Sequence, residues 1–185
     1  IMYDSYKDWI RSHRDLPLRI NQWNNVVRWE FKHATPFLRT REFLWQEGHN
    51  AYKDKEGVIE DCERILDAYQ KICEEYMALP CVRGRKTDKE KFDGAVDSYS
   101  LEHLLPDGSA IQGPDYHDDG TNFAEAFDIT YADEDGEDKY VHQGTYGFST
   151  RQLGIMIMMH SDDRGLIIPP RLAPTKVVIV PIYHD

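Results

Sequence analysis

Apolar residues recur in two different rhythms along the chain. At Val58, Ile59, Cys62, Ile65, Leu66, Tyr69, Ile72, Cys73, Tyr76 and Met77 they fall three and four apart. That spacing predicts an amphipathic helix from Lys55, ending before Pro80. Met2, Tyr6, Trp9 and Ile10 predict the packed side of a helix within residues 1–14, whose pattern is already under way at Ile1. "LPLRINQWNNVVRWEF" and "REFLWQEGHNAY" alternate instead, with "KHATPF" and its Pro36 between them, which predicts two strands paired as a long antiparallel hairpin. Shorter strands are expected at Cys81–Lys86, Ala95–Leu104 and Ser109–Gly113, the last two joined through the turn "LPDGS". "TNFAEAFDI" predicts a short helix opened by Thr121. "DEDGED" predicts a hairpin tip and "KYVHQGTYGF" one strand. "STRQLGIMIMMHSDD" predicts a buried helix capped by Ser149 or Thr150, with Met156–Met159 as core. "IIPPRLAP" is a proline-stiffened linker, and "TKVVIVPIYHD" a further buried strand. Antiparallel strands with helices at separate places make the fold class α+β.

The hairpin raises a chemical question. Between Arg28 and His49 it interleaves arginines, glutamates and histidines with aromatic rings. Residues two apart on a strand share a face. Arg28 and Glu30 therefore share one, and Phe43, Trp45, Glu47 and His49 another. Such a face is too charged for a core and too aromatic for plain solvent. It suits a pocket for a flat, anionic ligand such as a nucleotide, with Arg39 and Arg41 on the loop able to grip phosphate bidentately. An exposed sheet with ion pairs across its strands gives the same alternation.

Composition narrows this only slightly. The 185 residues are 41% hydrophobic and 30% charged, a globular balance. The longest apolar runs are too short to span a membrane, and "IMYDSYKDWIRSHRD" does not read as a signal peptide. The formal charge is −11, from 22 basic and 33 acidic residues, a total from which neither DNA nor any other polyanion would be guessed as a partner, although net charge says little about local patches. Acids gather in "YADEDGEDKY" and "YHDDG", bases in Arg28–Arg41 and "RGRKTDKEK". Cys62, Cys73 and Cys81 lack metal-site spacing and read as reduced thiols of a cytoplasmic protein, the first two in the core. Arg85 and Lys86 read as a solvated edge, and His142 and His160 as ordinary histidines.

Three longer segments carry a resemblance. "NQWNNVVRWEFKHATPFLRTREFLWQEGH" resembles motif 2 of class II aminoacyl-tRNA synthetases in the form found in the prolyl-tRNA synthetase family. "GFSTRQLGIMIMMHSDDRGLIIPPRLAP" looks like that family's motif 3 and exit linker. "GRKTDKEKFDGAVDSYSLEHLLPDGSAIQG" is similar to the segment between them. The version resembled is the archaeal and eukaryotic type, without a large insertion between motifs 2 and 3. The resemblance implies a six- or seven-stranded antiparallel catalytic sheet. It also implies a two-step reaction, in which proline and ATP with Mg2+ give prolyl-adenylate, and proline then passes to the 3′ end of tRNA(Pro). By resemblance, Arg28 bridges the α-phosphate and the proline carboxylate. Glu30, Thr40 and Phe43 serve the adenine, Arg39 the far phosphates, Gln112 the ribose and magnesium-bound phosphates, Ser149 the nucleoside and Arg151 the γ-phosphate. Trp45, Glu47, His49 and His117 wall the proline pocket. No metal ligand set is expected in the protein itself.

The resemblance divides the chain into a catalytic core at 1–168, a linker at 169–175 and the first strand of an anticodon-binding domain at 176–185. It implies a homodimer whose motif 1 precedes Ile1, so this segment alone is expected to be inactive. One stretch departs from the family: "GGTSH" is here "GPDYH", Gly113–His117. Pro114 removes a backbone donor, and Tyr116 stands in place of a serine. Asp115 puts a carboxylate beside the pocket, able to pair with proline's ammonium or to suit a different amino acid. A regulatory paralogue is the remaining alternative, and the arginines Arg28, Arg39 and Arg151 speak against it.

Overall fold

The computed structural model describes residues 2–30 and 32–183. Ile1, Phe31, His184 and Asp185, which fall in the expected first helix, first strand and last strand, lie outside them. Six strands form one antiparallel sheet: β1 (Leu18–Val27), β2 (Glu42–Tyr52), β3 (Val82–Arg85), β4 (Asp97–Leu104), β5 (Ala110–Gly120) and β8 (His142–Ser149). Their order across the sheet is β1-β2-β8-β5-β4-β3. The expected hairpin forms, with Leu18 opposite Ala51 and Val27 opposite Glu42. The α+β class and the antiparallel sheet hold.

Alternation along β2 explains how the sheet divides its work. The even side, Gln46, Gly48 and Asn50, is buried under the long helix α2 (Lys55–Lys71). Tyr69 donates to Gln46 at 2.5 Å, and Asn50 donates to Asp61 at 2.8 Å. Tyr116 of β5 and Tyr146 of β8 stack in this layer, their centroids 5.8 Å apart. Two glycines make room for those rings: a Cβ on Gly48 would lie 1.9 Å from the Tyr146 ring, and one on Gly144 2.0 Å from the Tyr116 hydroxyl. The odd side of β2 stays open and carries the site. A second core gathers Tyr6 of α1 (Met2–Trp9), Ile10, Ala124 of α3 (Asn122–Phe127), Ile129, Tyr131 and Val141.

Several expectations need correction. Trp9 closes α1 but is 53% exposed, so it does not join the packed face. Ile59 sits about 100° around the helix from buried Val58 and is exposed as well. Past Lys71 the helix continues as a π-turn over Ile72–Tyr76. Its wider spacing lags the α-helical phase, so Ile72 and Tyr76 turn outward while Cys73 and Met77 stay buried. β5 runs seven residues beyond the expected Gly113, to Gly120, because its second half hides polar side chains. "KYVHQGTYGF" is two strands, not one. β7 (Asp138–Tyr140) pairs with β6 (Thr130–Ala132) in a small separate sheet, and buried Val141 forms the corner before β8. In α4 (Arg151–His160) Met156 is core but Met158 is exposed. Neither Ser149 nor Thr150 caps α4 by a side-chain hydrogen bond in the Ncap sense, although the Arg151 amide donates to Ser149 Oγ at 3.3 Å. Among described residues 176–183 no strand forms, and Val177–Val180 are exposed. No described helix is long and apolar enough to cross a membrane.

Candidate active site

Two adjoining hollows open on the odd side of the sheet, and Arg28 lines both. The larger, about 520 Å³, takes its walls from Trp45, Glu47 and His49 of β2, Gln112, Asp115, His117 and Asp119 of β5, and Thr145, Tyr146 and Gly147 of β8. The smaller cleft, about 70 Å³, is lined by Arg28, Glu30, Arg39, Thr40, Phe43, Ser149 and Arg151. Thirteen of the fourteen candidate site residues named from the sequence, all but Arg41, thus line one hollow or the other.

Arg28 follows β1, and its guanidinium lies over Phe43 at 5.5 Å and Trp45 at 5.6 Å from the ring centroids. The two rings meet edge to face, 5.5 Å apart. They hold the cation between the hollows without neutralising it. Arg151, at the start of α4, donates from Nε to the Leu38 carbonyl at 3.1 Å. Burial, then the nearby Arg39 and Arg28 charges, push its pKa below the ordinary arginine value. Three guanidiniums converging on one cleft, against the single carboxylate of Glu30, form an anion site, and a ligand of opposite charge would relieve their mutual repulsion. Arg41 does not join them. It stacks on Trp29, 3.7 Å from the ring centroid, and donates to the Lys32 carbonyl, which corrects its assignment to phosphate.

The larger cavity is acidic. Glu47 lies 3.0 Å from His49 Nε2 and accepts from Gln22 at 2.7 Å. Burial opposes its ionisation, but the His49 contact, Gln22 and the Arg28 charge outweigh this and hold its carboxyl below the usual range. His49 Nδ1 is 3.1 Å from the Tyr3 hydroxyl. Asp115 accepts from Gln112 at 2.8 Å and lies 3.5 Å from His117 Nε2. His117 Nδ1 pairs with Ser98 at 2.8 Å, and the Phe92 ring stands 5.1 Å from the imidazole. Burial pushes the Asp119 carboxyl up to about 7, against the opposing pull of His117.

The departure at Gly113–His117 resolves by strand alternation. Tyr116 points away from the cavity into the core, where its hydroxyl donates to Asp61 at 3.1 Å. Pro114 is buried on that same opposite face. Its missing N–H costs no ladder bond, because β4 pairing skips there between Ser100 and Glu102 and β8 pairing begins only at Asp115. Of the three changed residues, only Asp115 faces the cavity. Sequence reasoning missed Tyr3, Lys86, Glu90, Phe92, Asp119, Phe123 and Thr145. Lys86 is no solvated edge: it donates to Gln112 at 2.5 Å and lines the cavity. Continuing the alternation of β5 from Asp115 and His117 would have found Asp119.

The comparisons agree with this geometry. A tRNA synthetase class II core domain (G, H, P, S and T) matches residues 2–160. The proline–tRNA ligase of Salinibacter ruber is 54% identical over all 185 residues, which span 38% of that protein. That of Borreliella burgdorferi (strain B31) is 50% identical over 183 residues, 99% of this chain and 37% of the relative. Similar sequences therefore occur in bacteria, so the archaeal and eukaryotic label describes a type and not a source. A crystal structure of prolyl-tRNA synthetase from Cryptosporidium parvum complexed with L-proline and AMP has a TM-score of 0.92 and 49% identity, over 94% of this chain and 36% of that one. A second from the same organism, with halofuginone and AMPPNP, matches equally. The chain thus spans little more than a third of these relatives. By sequence and by fold, it belongs to the class II tRNA synthetase core domain family.

Proposed function

We propose that this chain is the catalytic core of a proline–tRNA ligase: it activates proline with ATP to prolyl-adenylate, and proline then passes to tRNA(Pro). The carrying observation is that Arg28 lines both the acidic, ring-walled cavity and the arginine-lined cleft. A bound amino acid in the first and a triphosphate in the second would meet at that guanidinium. Its planar fork can hold the attacking carboxylate and the α-phosphate together, which otherwise repel. Arg39 and Arg151 would take the charge of the leaving pyrophosphate, and Phe43 offers its face to the adenine. Positioning and charge neutralisation carry such a step, with no covalent help from the protein. The Cryptosporidium parvum enzyme, complexed with L-proline and AMP in one structure and with halofuginone and AMPPNP in the other, supports a site for an amino acid and a nucleotide.

Mg2+ fits this reading as a companion of the phosphates. Among the described residues no group of three or more His, Cys, Asp or Glu side chains could cage it. Mg2+ is commonly held through phosphates and water with few protein ligands, and Gln112 lies beside that path. The family resemblance further supports a cytoplasmic homodimer, with residues 1–168 as core, 169–175 as linker and 176–185 beginning an anticodon-binding domain.

Proline-dependent ATP–pyrophosphate exchange on the full-length polypeptide tests the proposal, with alanine, cysteine and buffer as comparisons. Strong exchange with proline is expected. Some alanine activation is expected as well, since one missing methylene discriminates by only about 1–3 kcal/mol. Absence of exchange with proline while ATP still binds would sink the reading.

A further inference from the structure

Gln112 lies where a regular strand would not put it. Residues three apart on a strand face opposite ways. With Asp115 in the cavity, Gln112 belongs with Tyr116 on the core side, yet it lines the cavity too. The cause is a bulge: Asp115 lies opposite Ser100 and Gln112 opposite Glu102, three steps along β5 against two along β4. The extra residue turns Gln112 to the open face, as bulges beside sites commonly do. There it also lines a third hollow, about 270 Å³, with Arg39 and Arg151, and its carbonyl accepts from Arg151 Nη1 at 3.5 Å. Gln112 thus stands between the acidic cavity and two arginines of the cleft. Its amide could face its neighbours either way round, and they decide which. Lys86 donates to Oε1 at 2.5 Å, and Nε2 donates to Asp115 Oδ2 at 2.8 Å. An ammonium only donates and a carboxylate only accepts, so the reversed amide would lose both bonds. Lys86 is itself anchored: its backbone amide donates to the Ser98 carbonyl at 2.8 Å. The Ser98 hydroxyl pairs with His117, whose other nitrogen lies 3.5 Å from Asp115. The contacts close a ring through Lys86, Gln112, Asp115, His117 and Ser98. Four carboxylates line the cavity, yet the Lys86 ammonium meets a neutral amide, which points to orientation and not charge balance as its task.

We propose that Lys86 is a positioning residue for nucleotide binding, acting through Gln112. The inference rests on the reading that the arginine-lined cleft takes ATP. Lys86 locks the amide with one N–H and one lone pair left over, in fixed directions, beside Arg39 and Arg151. The same lock ties down Asp115, the one changed residue that faces the cavity. Without Lys86 the amide turns freely, and the nucleotide must order it on binding, at a cost in affinity.

The test is a double-mutant cycle on the full-length polypeptide, read by the KM for ATP in pyrophosphate exchange and by the calorimetric Kd of ATP. Lys86→Met keeps the stem and removes the donor. It is expected to raise both constants roughly 10-fold, the lower end for one charged hydrogen bond, with kcat changed by less than about threefold. In a Gln112→Met background the same change should add less than about twofold, because the group it acts through is gone. Lys86→Arg keeps a donor and should recover most of the affinity. If Lys86→Met weakens ATP equally in both backgrounds, Lys86 serves the ligand directly or the fold as a whole, and the proposal falls. It falls also if ATP is unaffected in either background, or if Lys86→Arg is no better than Lys86→Met. Should a methionine variant fail to fold, alanine at the same position carries the comparison. If the unaltered protein does not exchange with proline, the proposed function fails separately, and the calorimetric cycle still decides the role of Lys86. If it binds no ATP, both fall.

Discussion

Arg28 owes its position to two rings and its usefulness to its fork. A lysine there would keep the charge over Phe43 and Trp45 but could not hold two anions in one plane. Arg28→Lys is therefore expected to lower kcat/KM for pyrophosphate exchange by roughly 100-fold, with the thermal midpoint little changed. Equal activity would mean that a point charge suffices. Asp119 supports a prediction of the opposite kind. Its carboxyl ionises near 7 when folded, against an ordinary value of 3.8. Between those values the folded chain holds a proton that the unfolded chain has lost, so stability falls as pH rises through this window. Below it the penalty is absent, and above it the penalty is complete, at roughly 4 kcal/mol. Asp119→Asn should accordingly raise the melting temperature at about pH 8 and leave it little changed at about pH 4. A lower melting temperature at the higher pH would show that the charge stabilises the fold.

The hairpin and the strands beside it turn these residues into a site. β2 gives its odd residues to the cavity and its even residues to α2, so a fault on one side disturbs the other. Gly48→Ala would drive a methyl into the Tyr146 ring. It should cost roughly 1–3 kcal/mol in a denaturant titration, with the m-value unchanged if packing alone is affected. Alternation is also what made this part of the molecule legible. Glu47 and His49 could be assigned to a common face before any coordinates, because a period of two fixes the side on which each residue falls. β5 was less legible. "DYHDDG" reads as a turn by composition, and only pairing with β4 and β8 makes it a strand. That early end hid Asp119 and gave no face to Tyr116. Exposed Trp9 and the π-turn at Ile72–Tyr76 were missed for a related reason: helical period says which residues align, not where a neighbour is present to cover them.

At the scale of the whole molecule the charges are sorted against the net balance. A chain of formal charge −11 gathers three guanidiniums against the one carboxylate of Glu30 at one cleft, and sets four carboxylates, Glu47, Glu90, Asp115 and Asp119, around the adjoining cavity. Each hollow thus carries an excess of one sign of charge, and each ligand in the proposed reaction brings the opposite one. Ligand binding should therefore stabilise this fold by more than contact area alone suggests, and part of that gain should be sensitive to salt. Arg39 and Arg28 are solvent-exposed, where ions screen them, whereas Glu47 and Asp115 in the large cavity are only partly exposed and Asp119 is buried. The rise in melting temperature produced by saturating ATP should shrink as ionic strength increases from about 0.05 to 0.5 M, while the rise produced by proline should change much less. Equal salt sensitivity for the two ligands would mean that the large cavity is as open to ions as the arginine-lined cleft. An ATP-induced rise that ignores salt would mean the arginines grip the phosphates only after water has been expelled from the cleft.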